Sequence, residues 1–216
     1  MKLRIDRAAL LKATSRAQGV VERKNTIPIL ANVLLEAAED GLSLRATDLD
    51  IEIVERLPAE VESPGATTVA AQLLHEIVRK LPEGAELTLA LAPEQERLDV
   101  SAGRSRFSLA TLPKEDFPVM ASSSYACSFR APVPLLRRLF DKTRFAVSTE
   151  ETRYYLNGVY LHVAEEGGET HLRAVATDGH RLALVDAELP EGAEEAPGVI
   201  VPRKTVGELR KMLEDD

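Results

Sequence analysis

Between Arg153 and Leu184 the sequence reads RYYLNG, then GVYLHV, an acidic turn, and a returning HLRAVATDGHRLALV. Asp178 and His180 could work there as an acid and a base. Together with His162 and His171 they could offer ligands to a metal. Such a site needs three or more ligands in defined geometry, and the two histidines alternate along strand-like runs, where a solvated face is the ordinary outcome. A hydrolase centred on Asp178 and His180 would also need a nucleophile. Ser148 and the single Cys127 are the candidates, and neither lies in a recognisable elbow or activated setting. The plain alternative for Asp178-Gly179 is a tight turn that needs a backbone-permissive glycine.

The elements that would hold these loops show in the hydrophobic periodicity. Val159-Leu161-Val163 and Leu172-Ala174-Ala176 alternate as neighbouring strands do. Further strand-like runs are TIPILANVLLEA, GLSLRATD, DIEIVERL, AELTLALA, RLDVSA and RSRFSLATL. Pro28 suits an edge or bulge at the start of the first of these. Four segments read as amphipathic helices, over 6–18, 70–81, 133–144 and 203–214. Asp6 is a candidate N-cap for the first, with Ala8, Leu10, Leu11, Thr14, Ser15 and Ala17 on its inner face. Leu74, Ile77, Val78 and Leu81 line the second, Leu135, Leu136, Leu139 and Phe140 the third, and Val206, Leu209 and Leu213 the fourth.

Composition narrows the class. The 216 residues are 44% hydrophobic but carry no Trp, so the core must be built from Leu, Val, Ile and Ala. One cysteine excludes an intrachain disulfide and suits a reducing cytosol. The amino terminus lacks the unbroken apolar core of a secretion signal, and no run reaches membrane-spanning length. A cytoplasmic protein without membrane attachment is expected. The formal charge of −8 argues on its face against nucleic acid.

Two features change that first impression. The chain repeats itself: Leu10-Leu11-Lys12 matches Leu135-Leu136-Arg137, Ile29–Leu35 matches Tyr155–Leu161, Ala46-Thr47-Asp48 matches Ala176-Thr177-Asp178, and Val69–Leu81 matches Val201–Leu213. The offset grows from about 125 to about 132 residues, as small loop insertions would make it. This predicts an α+β fold of repeated domains, each with two helices packed on antiparallel sheets. The expected boundaries are a first domain over 1–117, a linker over 118–127 and a second domain over 128–216. The second copy stops before the three strands that end the first, so it is expected to be incomplete and the chain to be part of a longer protein. Second, the charge is segregated. The four helical spans hold 13 basic and 5 acidic residues, leaving 14 basic and 30 acidic elsewhere. Helices turned toward a polyanion, with acidic sheets behind them, would account for the split, and the contacts would be with phosphates rather than bases.

The words TIPIL, SPGATTV, LPEGAE, AGRSRFSL, TLPKEDFP, RYYLNG, VATDGHRLA and VIVPRK resemble the bacterial DNA polymerase III β subunits, the sliding clamps, across essentially the whole chain. The resemblance implies the DNA clamp fold, a ring of three such domains per subunit closed as a head-to-tail homodimer. This chain covers domain one and most of domain two; domain three is absent, so it is not expected to close a ring alone. It also implies a non-catalytic processivity factor, with no cofactor and no metal, that encircles duplex DNA. Its other partners would be DNA polymerase subunits, the clamp loader and further proteins carrying clamp-binding motifs. DNA contacts are implied for Arg23, Lys24, Arg79, Tyr154, Tyr155, Arg203 and Lys204. A cleft for short peptides is implied at Leu156, Thr177, Gly179, His180, Arg181 and Leu182. Phe107 and Leu109 match the dimer interface. The chain departs from the family pattern at Glu150, ahead of RYYLNG, and at Gln72-Leu73, where a basic pair is common. A module that grips peptides without encircling DNA, or the hydrolase, are the competing readings.

Overall fold

The computed structural model describes residues 1–21, 27–92, 96–120 and 125–213. Contacts divide the chain into two compact units, Met1–Ala121 and Ser122–Asp216. Among the described residues no helix is long and apolar enough to cross a membrane.

The first unit opens with strand β1 (Lys2–Asp6), which runs directly into helix α1 (Arg7–Val20). Asp6 caps the helix as its side chain allows, accepting from the N–H groups of Ala8 and Ala9 at 2.8 and 3.0 Å. The inner face of α1 is Leu10, Ala13, Thr14, Ala17 and Val20, with Leu11 half-buried. A 3-10 turn (Pro28–Ala31) leads to β2 (Asn32–Ala38), β3 (Gly41–Thr47), β4 (Glu52–Leu57), β5 (Glu60–Ser63) and β6 (Gly65–Ala70). Helix α2 (Ala71–Lys80) follows, then β7 (Glu86–Ala92), β8 (Arg97–Ala102) and β9 (Ser105–Leu112).

These strands form one antiparallel sheet in the order β4-β3-β2-β6-β9-β8-β7-β1-β5. Its two halves are joined by a short seam, Thr68 opposite Leu112 and Val69 opposite Thr111. The Thr68 hydroxyl donates to Leu112 O at 2.9 Å and accepts from Asn32 Nδ2 at 3.0 Å, so the seam's buried polar groups are satisfied. Both helices cover one face. α1 lies on β3 and β4, α2 on β2 and β6, and the helices touch each other. Leu3, Leu35, Leu44, Leu74, Leu87, Leu89 and Leu98 fill the space between and are fully buried.

The second unit repeats half of this plan. Helix α3 (Val133–Thr143) is followed by 3-10 turns at Arg144–Ala146 and Glu151–Leu156. Strands β10 (Gly158–Glu166), β11 (Glu169–Thr177), β12 (Leu182–Glu188) and β13 (Val199–Pro202) and helix α4 (Arg203–Met212) complete it. The sheet order β12-β11-β10-β13 is the order β4-β3-β2-β6 of the first unit. Again one helix, α3, lies on the two outer strands and the other, α4, on the pair it follows. Leu139, Phe140, Val159, Leu172, Ala174, Ala176 and Val206 form the core, with Leu135, Leu136, Leu209 and Leu213 half-buried at its margin. Nothing among the described residues of this unit corresponds to β7, β8 and β9.

Two expectations need correction. The run TIPILANVLLEA is not one strand over its described residues. Pro28 starts a 3-10 turn, where its fixed φ and missing N–H cost nothing, and Ile29 and Leu30 tuck under the unit with Leu34 and Phe117. The second unit has the same kind of turn ahead of β10. HLRAVATDGHRLALV folds back at Thr177–Leu182, where the tight turn at Asp178-Gly179 was expected. β1 and β5 were hidden by their brevity, and β6 by being largely buried, with no alternation to reveal it.

Gly158 marks the tightest backbone approach in the second unit. A Cβ there would lie 2.5 Å from Val201 O and 2.6 Å from Ile200 Cγ2. Gly158→Ala should therefore destabilise the fold by about 1–3 kcal/mol, the usual cost of overpacking. Thermal unfolding followed by circular dichroism checks this, and an unchanged midpoint would show that β13 can yield without loss.

Candidate functional site

The TDGHR loop is built from its own hydrogen bonds. Thr177 Oγ1 donates to Arg181 O at 2.7 Å and accepts from Gly179 N at 3.1 Å. Asp178 Oδ1 accepts from the backbone N–H groups of His180 and Arg181, both at 3.0 Å, and Oδ2 accepts from Arg181 Nε at 3.0 Å. Those backbone donors, assisted by the Arg181 guanidinium, hold the Asp178 carboxyl down to about 2. Gly179 has φ +89°, the conformation that glycine tolerates best.

The first unit contains the same turn. Thr47 Oγ1 donates to Ile51 O at 2.8 Å and accepts from Leu49 N at 3.0 Å, while Asp48 Oδ1 accepts from Asp50 N and Ile51 N at 3.0 and 2.8 Å. Leu49 takes the place of Gly179 and adopts φ 82°. The Thr-Asp pair is thus the fold's own device for reversing a strand, used in both repeats. Asp178 is ionised and committed to that turn. The bond to it from His180 comes from the backbone, not the ring, so the two do not form an acid–base pair.

The other groups weighed for catalysis are placed apart. Ser148 Oγ accepts from Glu150 N at 3.1 Å, and Cys127 Sγ lies 3.2 Å from Gly192 O. His162 stacks on Tyr160 with centroids 4.4 Å apart, and burial, then the nearby Arg173, lowers its pKa. His171 points its Nε2 toward Glu169 at 3.8 Å. Among the described residues there is no group of three or more metal-ligating side chains.

RYYLNG has a different character. It closes a 3-10 stretch whose C-terminal end is held twice: Ser148 N donates to Leu156 O at 3.0 Å and Arg203 N donates to Asn157 O at 2.8 Å. Just ahead of these two bonds the tyrosines face outward. Tyr154 is 79% exposed and Tyr155 55%, with rings edge to face at 5.7 Å. The second bond sets the start of α4, with exposed Arg203 and half-buried Lys204, beside the tyrosine loop. Arg153 bridges the two loops of the site. Its Nε pairs with the Glu150 carboxylate at 3.1 Å, and its Nη1 lies 3.3 Å from where a Cβ on Gly179 would sit. The departure at Glu150 is therefore partly neutralised by Arg153. Arg181 rests over the Phe145 ring at 5.5 Å, and Leu182 is 63% exposed.

The remaining expected residues fall elsewhere. Arg79 lies exposed in the last turn of α2, where its carbonyl accepts from Arg7 Nη2 at 2.8 Å. Arg23 and Lys24 lie outside the described residues. Phe107 is 38% exposed on β9, whereas Leu109, two residues on and on the same face of the strand, is 2% exposed opposite Leu98. Leu109 can offer an interface only its backbone. β9 pairs with β6 only at its last two residues, so the edge from Ser105 to Ala110 has no strand partner there among the described residues. Arg153 and Phe145 were not singled out from sequence, since only folding brings them to Gly179 and Arg181.

The basic side chains of the helices also sort into two groups. Arg16 pairs with Glu55 at 2.9 Å, Arg210 with Asp141 at 2.5 Å, Arg137 bonds Leu213 O, and Arg7 bonds Val78 O at 3.0 Å. These hold helices in place. Lys12, Arg79, Lys80, Arg138, Lys142, Arg203 and Lys211 extend into solvent.

Acid titration tests the turn. The folded Asp178 pKa lies below its ordinary value, so its contribution to stability is full above about pH 4 and is lost as pH falls through about 2. Asp178→Asn should flatten the acid limb of the stability curve over that window. An acid limb identical to the parent's would remove Asp178 from the turn's support.

The chain matches the family models of the DNA polymerase III beta subunit, the N-terminal domain over residues 1–121 and the central domain over 131–216. It is 58% identical over 214 residues to the beta sliding clamp of Caulobacter vibrioides, covering 99% of this chain and 58% of that protein. It is 44% identical to that of Escherichia coli K12 over 215 residues, covering 99% and 57%. Among solved structures, Caulobacter crescentus pol III beta superposes with a TM-score of 0.96 at 58% identity, covering 99% of this chain and 58% of that one. A Bartonella birtlesii sliding clamp bound to griselimycin superposes at 0.95 with 47% identity, covering 100% and 57%. The chain thus spans a little under three-fifths of the length of these relatives, and on both its fold and its sequence it belongs to the DNA polymerase III beta subunit family.

Proposed function

We propose that this chain forms the first domain and most of the second of a sliding clamp, a non-catalytic ring that encircles duplex DNA and tethers the replicative polymerase. Ring closure as a homodimer would require the further length that the relatives have. The observation that carries the reading is the pairing of two solvent-facing tyrosines with a basic helix start, held together by the Arg203 N to Asn157 O bond. Large exposed aromatics beside cations are costly to leave on a surface without a partner. They suit single-stranded or junction DNA, where bases stack on rings and cations follow phosphates. Arg79 and the other outward basic residues of the helices extend the phosphate contacts without reading sequence. Arg23 and Lys24 would add to them.

The second surface supports a peptide cleft. Leu156 and the exposed Leu182 supply apolar area, Arg181 on Phe145 gives a flat wall, and Gly179 leaves the backbone open beside His180 and Thr177. Its partners would be polymerase subunits, the clamp loader and other proteins carrying a clamp-binding motif, acting in the cytoplasm. Phe107 and the open edge of β9 would meet the next subunit. No cofactor or metal has a role in this reading.

Fluorescence anisotropy of the 216-residue chain with a primed template carrying a single-stranded overhang is the test. Tyr154→Ala with Tyr155→Ala should weaken binding about 10-fold or more, since each stacked base contributes about 1–3 kcal/mol. Arg203→Ala with Lys204→Ala should weaken binding to all sequences alike and lower the salt slope by about 1–2. Unchanged affinity in both would contradict the reading. For the cleft, Leu182→Ala and His180→Ala should each weaken a clamp-binding peptide several-fold in calorimetry. Peptide binding with no measurable DNA binding would favour the simple peptide module instead.

A further inference from the structure

The segment that follows β9 is held to the first unit by one side chain. From Leu112 to Met120 only Phe117 is buried, and Pro113, Lys114, Glu115 and Asp116 all face solvent. Its backbone bonds are local, Asp116 N to Pro113 O at 3.3 Å and Phe117 N to Lys114 O at 3.1 Å. The ladder to β6 stops at Thr68 opposite Leu112, because Pro113 has no N–H to continue it. Behind residues 113–115 lies a cavity of about 320 Å³, walled on the sheet side by Ala66 and Thr67. The segment therefore bridges open space and is anchored by a ring at its far end.

Phe117 packs with Ile29, Leu30 and Leu34, with Ala66 at the margin. Val33 and Leu35 belong to the core under the helices, so alternation along β2 puts Leu34 and the Phe117 ring on the opposite face of the sheet. One aromatic anchor in an apolar pocket, trailing exposed polar residues, is how a short peptide docks on a preformed groove. The repeat identifies the counterpart of this pocket. Leu30 matches Leu156, Leu34 matches Tyr160, and Thr47 in the neighbouring turn matches Thr177. Leu156 and Thr177 belong to the surface proposed above for partner peptides. On that side of the second unit Tyr160, Leu184 and Ile200 are 42%, 46% and 46% exposed, whereas Leu34, clustered with Phe117, is 4% exposed.

We infer that residues 113–117 are a built-in peptide ligand, which plugs from within the chain a second peptide-binding pocket, in the first unit, with Phe117 in its seat. Once vacated, the seat takes an extended peptide that carries an aromatic side chain after acidic residues, as the segment itself does. The likeness to the second unit rests on the cleft proposed above; the plug rests on Phe117 and its pocket alone.

The test is a nitrogen–proton NMR titration of the whole chain with a synthetic peptide of sequence TLPKEDFP, capped at both ends. Phe117→Ala should bind it saturably, with shifts at the amides of Leu30, Leu34 and Ala66. Its affinity should exceed the parent's at least about 10-fold, as it must if the parent's seat is open less than about a tenth of the time. Binding should also raise the variant's unfolding midpoint, and a peptide with alanine in place of its phenylalanine should do neither. Phe117→Ala leaves a void that destabilises the unit, so Phe117→Leu, which keeps an apolar plug of smaller size, is the second variant. It should bind the peptide more tightly than the parent. Shifts at those three amides that are absent, or no stronger in either variant than in the parent, overturn the plug. Shifts confined to Leu156, Thr177 and Leu182 also overturn it and leave the second unit's cleft standing. Shifts at Leu30, Leu34 and Ala66 in the variants, with none at Leu156 and Leu182, uphold the plug and count against that cleft.

Discussion

One backbone hydrogen bond, from Arg203 N to Asn157 O, decides what the second unit presents to its surroundings. It lies where β13 ends and α4 begins, next to the register pair Gly158–Pro202. Beside it Gly158 leaves room for the close approach of Val201 and Ile200. The bond's effect is to place two elements far apart in sequence, an aromatic loop and a basic helix start, on one surface. Stacking on single rings is weak and phosphate contacts are screened by salt, so under the proposed function the fixed spacing between the two kinds would let them act together.

The same economy appears in the turn after β11. A threonine and an aspartate satisfy most of the turn's backbone donors locally, which leaves the loop rigid without burying it. The first unit uses the same bonds around Thr47 and Asp48, and there the loop carries Leu49 at positive φ. That Leu49 folds there shows that the turn accepts a side chain. What Gly179 adds is room, since Arg153 lies against it. Arg153, paired with Glu150, thus lies against the turn of the neighbouring loop.

Much of this was legible in the residues. Amphipathic spacing located all four helices, Asp6 marked its cap, and the internal repeat foretold that the two units share a sheet order. Charge segregation was legible too, though only the structure separated Arg7, Arg16, Arg137 and Arg210, which hold helices in place, from the cations that face solvent. The failures have physical causes. Pro28 was read as a strand edge because a 3-10 turn and a strand start tolerate proline for the same reason. The turn between β11 and β12 was legible in Asp178-Gly179. Leu109 shares its strand face with the exposed Phe107, so alternation along β9 could not tell the two apart. Arg153 against Gly179 is a fact of tertiary geometry with no local sequence signal.

The central claim is that Tyr154 and Arg203 act as one unit on DNA because the backbone bond between their segments fixes their spacing. A double-mutant cycle on primed-template affinity measures this directly, using Tyr154→Ala, Arg203→Ala and the pair. The expected result is a coupling energy above about 0.5 kcal/mol, the level at which residues sharing a site depart from additivity. Losses that add to within about 0.3 kcal/mol would show two independent contacts and contradict the claim.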